Sequence, residues 1–84
     1  MKNLKLIRDN VNYKGHQMVV VEDALGQRVT IILGINLMFA SIADAKRWMN
    51  TCGTIYVIDD CRAEEYAKAA KELFEEAMMR SLRP

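Results

Sequence analysis

The chain has 84 residues, 51% of them apolar and 27% charged, with a formal net charge of +1, two Cys, one His and a single Pro. That is the composition of one small globular domain over residues 1–84; it excludes a disordered tail and argues against a dedicated nucleic-acid binder, which would carry a basic surplus. No apolar run approaches the roughly 20 residues that span a bilayer, and Met1-Lys2-Asn3-Leu4-Lys5 has a basic start without an apolar stretch behind it, so a cytoplasmic protein with no membrane role is expected.

Leu4 and Leu6 alternate with Lys5, which predicts a short edge strand over Leu4–Arg8, and Asp9-Asn10 reads as a turn. Tyr13-Lys14-Gly15 leads into Gln17–Glu22, a strand rich in β-branched residues. Asp23-Ala24-Leu25-Gly26-Gln27 is a turn with Gly26 available for positive φ, and Arg28–Leu33 is the antiparallel return strand. Gly34-Ile35-Asn36 breaks it, and Leu37-Met38-Phe39 supplies a third strand segment.

Ser41 caps a helix in a Ser-x-x-Asp pattern with Asp44, since its hydroxyl can accept the amide hydrogen three residues on. Ile42, Ala45, Met49 and Cys52 fall on one face of that helix, and Gly53 is placed to end it. Thr54–Ile58 reads as another strand. Asp60 caps a last helix over Arg62–Leu82, whose core stripe is Tyr66, Ala70, Leu73 and Ala77, widened by Phe74 and Met78. The fold class is therefore α+β: a small antiparallel sheet with two helices packed on it, in the order β-β-(β)-α-β-α, drawn as a two-layer sandwich.

A half-exposed strand alternates apolar and polar residues, and this hairpin does not. Val19 and Val21 on one face are matched by Met18 and Val20 on the other; Val29, Ile31 and Leu33 are matched by Ile32. Either one helix covers each face, or both lie on one face and leave Met18, Val20 and Ile32 as an apolar patch for a partner or a second copy. The end of the last helix offers a further surface in Met79, Arg80 and Arg83, beside Met78 and Leu82, because exposed Met suits adaptable contacts.

The groups that carry chemistry are sparse. Cys52 and Cys61 form no C-x-x-C pair, and without a secretion signal two reduced thiols are expected; Cys61, at a helix start, is the more reactive. His16 stands alone, Asp59-Asp60 is explained by capping, and no Gly-rich phosphate loop occurs. A protein with no enzymatic activity, cofactor or metal is the expectation. Trp48 beside Lys46 and Arg47, with Lys14 and Arg28, gives an alternative: an aromatic and basic patch for nucleic acid.

Tyr13-Lys14-Gly15, then a hairpin, then Phe39-Ala40-Ser41-Ile42 and Ala45-Lys46-Arg47-Trp48 resemble a pattern in small proteins of bacteriophages and integrated mobile elements. There a Y-K-G strand start and an F-x-S-I-x-x-A-K helix entry bracket a compact β-hairpin–helix unit, here over roughly residues 13–50. The resemblance implies a phage accessory protein that binds and modulates a host protein, such as a defence nuclease or an RNA-guided complex. A host protein or a second copy, as a homodimer, is thus the expected partner, with a nucleic-acid-binding regulator as the alternative.

Overall fold

The computed structural model describes residues 4–51, 56–58 and 62–82. Four strands, β1 (Lys5–Tyr13), β2 (His16–Glu22), β3 (Arg28–Ile32) and β4 (Leu37–Phe39), form an antiparallel meander in spatial order β1-β2-β3-β4. Two helices follow, α1 (Ile42–Thr51) and α2 (Arg62–Leu82). The α+β sheet with two helices packed on it is therefore present, and its layers follow from the register.

Side chains alternate across each strand, so opposite residues share a face. Val21 stands opposite Val29 and Val19 opposite Ile31; Met38, opposite Ile31 on β4, completes this face. These residues pack with Tyr66, Ala67 and Ala70 of α2. On the other face Met18 stands opposite Ile32 and Val11, with Phe39 beside them, and these pack with Ala45 of α1. The molecule has three layers, α1, sheet and α2, rather than two. The crossing happens at the β4 edge. Val57 bridges Phe39 and packs on the α1 side, while the next residue, Ile58, donates its amide to the Met38 carbonyl at 2.8 Å and packs on the α2 side. A chain leaving α1 on one face and passing that edge emerges on the other.

The expected turn at Asp9-Asn10 is not a turn. β1 continues to Tyr13, and its register against β2 shifts between Leu6 and Arg8 and again between Arg8 and Val11. Each shift is a bulge that inserts one extra residue on β1. The two insertions place Val11, instead of Asp9, opposite Met18, so the Asp9-Asn10 pair stays outside the core. Gln17 holds the second bulge: its Nε2 lies 2.9 Å from the Asp9 carbonyl and 3.1 Å from the Val11 carbonyl.

The true turn comes at Lys14-Gly15, where Tyr13 pairs with His16 across two residues of positive φ (50° and 80°). Two left-handed residues make a type I′ turn, whose twist matches that of a two-stranded ribbon. Glycine takes that conformation freely, whereas lysine is strained there by roughly 1–2 kcal/mol. The β2–β3 turn is as expected, with Gly26 at φ 83° and the Asp23 Oδ1 accepting the Leu25 and Gln27 amides, each at 2.9 Å. The Tyr66 hydroxyl reaches the same carboxylate at 3.5 Å, tying that turn to α2.

At the start of α1 the Asp44 amide donates to the Ser41 hydroxyl at 3.1 Å, the predicted cap. α2 has the predicted bounds, but its buried stripe includes Ala67 beside Tyr66 and Ala70, and Met78 is half exposed instead of finishing the core. Cys52, Gly53, Asp59, Asp60, Cys61 and Arg83 lie outside the described residues, as do Thr54 and Ile55 of the strand expected over Thr54–Ile58. Among the described residues no helix is long and apolar enough to cross a membrane.

Candidate functional site

The patch expected from Met18, Val20 and Ile32 does not exist. Met18 and Ile32 have no exposed surface and Val20 is buried, because α1 takes this face for itself. Both faces of the hairpin are apolar for the plainer of the two reasons: each supports a helix.

Exposed apolar surface is found instead around the ends of the sheet. Among the described residues the exposed large hydrophobic side chains are Leu25 (88% exposed), Ile35 (42%), Met78 (49%) and Met79 (60%). Leu25 caps the β2–β3 turn. Ile35 sits in the β3–β4 turn, and that turn's Leu33, Gly34 and Asn36 line a groove of about 470 Å³ together with Phe74 and Met78 of α2, with Gln17, Lys71 and Glu75 as its polar lining. The groove arises because α2, at 21 residues and about 1.5 Å per residue, outruns a sheet whose β3 and β4 have five and three. Met79 and Arg80, two of the expected partner residues, are exposed on this overhang, where Arg80 Nη2 lies 3.9 Å from Glu76 Oε2.

The five residues of the alternative basic patch do not assemble. Arg28 pairs with Glu22 at 3.0 Å at one end of β2, whereas Lys14 turns at the other, about 20 Å away over seven residues of strand. Arg47 Nη1 lies 3.4 Å from Asp44 Oδ1, and Trp48 is half-buried with its ring 6.0 Å from that of Phe39. Lys14 and Lys46 do converge. Their ammonium nitrogens stand 5.8 Å and 5.0 Å from the centroid of the Tyr13 ring, whose hydroxyl donates to the Asn50 Oδ1 at 3.2 Å. A cation over an aromatic face is held electrostatically, so the ring positions both charges. Neither lysine has a carboxylate partner among the described residues.

The Lys14–Lys46 pair and the apolar groove share one end of the sheet. The Lys14-Gly15 turn and the 33–36 turn lie side by side, since Met18 pairs with Ile32 and the Leu33 amide donates to the Gln17 carbonyl at 2.9 Å. Tyr13, Leu33, Ile35 and Phe74 are members of this end that the sequence placed only in a strand start, a strand, a turn and a core stripe, and not in a contact surface. Ile35 alone carried a signal, as an apolar residue set between Gly34 and Asn36 in a turn. His16, half-buried, contributes its backbone to the ladder beside Tyr13. Among the described residues no three His, Cys, Asp or Glu side chains gather as metal ligands. Compared with family models, curated proteins and solved structures, the chain matches none.

Proposed function

We propose that this chain is a small non-enzymatic interaction protein that acts by binding another protein through the end of the sheet formed by the 14–15 and 33–36 turns and the α2 overhang. One observation carries the reading: among the described residues three of the four exposed large hydrophobics, Ile35, Met78 and Met79, belong to the β3–β4 turn and the facing stretch of α2, where Met78 lines the groove. Scattered apolar residues on a surface need no explanation, but a grouped set around a groove is the usual mark of a contact surface. Methionine, flexible and polarizable, suits such a surface. The resemblance of residues 13–50 to small phage and mobile-element proteins supports a bacterial host protein as the target and modulation of that protein, for instance a defence complex, as the effect.

The test is a tagged pull-down from bacterial lysate, with and without nuclease, read by mass spectrometry. Capture of one protein that survives nuclease is expected. Ile35→Asp and Met78→Asp, both at exposed positions, should leave the fold intact and abolish that capture, while Leu25→Asp at the far end leaves it unchanged. Equal capture by all three variants would remove this surface as the contact.

A further inference from the structure

The same end of the sheet carries information about the partner's chemistry. On the α1 side Lys14 and Lys46 are held beside Tyr13 without a carboxylate among the described residues; Ile35 is exposed at the tip, and on the α2 side the groove is lined by Leu33, Phe74 and Met78 with Lys71 and Glu75. Lys14 is the telling residue. Asparagine and glycine are the residues a type I′ turn prefers, and Asn36, at φ 56° in the other turn, shows the same chain using asparagine at positive φ. A lysine at Lys14 accepts backbone strain in return for a fixed positive charge, and strain of that kind collects at contact sites.

We infer that the partner docks an acidic, apolar segment here, its carboxylates on Lys14 and Lys46 and its apolar side chains over Ile35 into the groove beside Met78. The inference rests on the protein-binding reading above and adds the chemistry of the segment. Packed layers lie about 10 Å apart, so a segment crossing this end from α1 to α2 covers roughly 20 Å, or about six extended residues. A polyanionic backbone fits less well. Two lysines neutralise few phosphates, and the exposed Glu72, Glu75 and Glu76 of α2, with Glu75 lining the groove itself, repel negative charge on that side. The carboxylates of the segment therefore belong on the α1 side, and only its apolar side chains enter the groove. A peptide with one or two carboxylates satisfies the lysine pair and leaves the groove its apolar contacts.

The experiment places a benzophenone amino acid at Ile35 of the full chain and irradiates it in nuclease-treated bacterial lysate. The crosslinked segment is sequenced, synthesised as a labelled peptide, and measured by fluorescence anisotropy. The segment should hold carboxylates within about six residues of apolar side chains, and changing its Asp and Glu to Asn and Gln should weaken binding about tenfold or more. K14E/K46E should lose the same factor, K14R/K46R should keep affinity, and K5E/R8E, an equal charge change at exposed positions in the first half of β1, should bind like the parent. A neutral or basic segment, or capture indifferent to K14E/K46E but lost in Met78→Asp, would overturn the acidic partner and leave the protein-binding reading standing. No crosslink from position 35, or capture that disappears with nuclease, would overturn both.

Discussion

Met18 and Ile32 stand opposite each other across the β2–β3 ladder, and neither has any exposed surface beneath α1. A carboxylate placed there has no partner and no water. The cost of burying an unpaired charge is several kcal/mol, comparable with the whole stability of about 5 kcal/mol expected for a domain of this size. Ile32→Asp should therefore unfold the protein, seen as loss of dispersion in its NMR spectrum, while Ile32→Val should cost only about 1 kcal/mol. A folded Ile32→Asp monomer would mean that α1 does not cover this face.

Gln17 satisfies backbone carbonyls that the bulged β1 cannot offer to β2. Gln17→Leu keeps the size of the side chain and removes the donor, leaving the Asp9 and Val11 carbonyls to water. Urea unfolding should show a loss of about 1 kcal/mol, with faster amide exchange concentrated in residues 9–11. An unchanged midpoint would show that the bulge is held by the sheet alone.

Adjacent residues of the 14–15 turn should respond with opposite signs. Lys14→Asn relieves left-handed strain and should stabilise by about 0.5–1 kcal/mol, raising Tm by several degrees. Gly15→Ala should destabilise by about 1–2 kcal/mol through the backbone alone, because a Cβ at Gly15 would meet no atom within 4 Å. Thermal melts of the two variants check both. If Lys14→Asn also weakens partner capture, the strain and the contact belong to the same residue.

Ser41 caps α1 through the Asp44 amide, and α1 is the helix that covers the Met18–Ile32 face, beside Tyr56 and Val57. Ser41→Ala should cost about 1 kcal/mol and Ser41→Asp close to nothing, since aspartate caps equally well. Chemical denaturation separates the two; equal losses would show that the hydroxyl bond does not bear on stability.

Local chemistry made much of this fold readable. β2 and β3 follow from their β-branched runs, the α1 start from Ser41 and Asp44, and the bounds of α2 from a long 3.6-residue period, because each depends on neighbours within one turn or one ladder. The bulges of β1 were hidden, since Asp9-Asn10 has the same composition as a turn and only the pairing of Val11 with Met18 tells the two apart. The candidate site was hidden more deeply. Met79 and Arg80 could be picked out as the end of an amphipathic helix, but Arg28 and Lys14 look equivalent in sequence and stand at opposite ends of β2.

What the sequence determined by itself was β2, β3, β4 and the two helices, though not the length of β1. Nor did it determine the strand expected over Thr54–Ile58, of which the described part is a single bridge at Val57. It also set the demand that both faces of the hairpin be buried. Only the tertiary structure decided how that demand was met: the chain rounds the β4 edge at Val57 and Ile58, so α1 and α2 take opposite faces. That choice closed the surface of Met18, Val20 and Ile32. It left the short β3–β4 turn beside the overhang of α2 as the place where apolar side chains meet water. Burial depends on which helix reaches which face, a long-range property that no local pattern encodes.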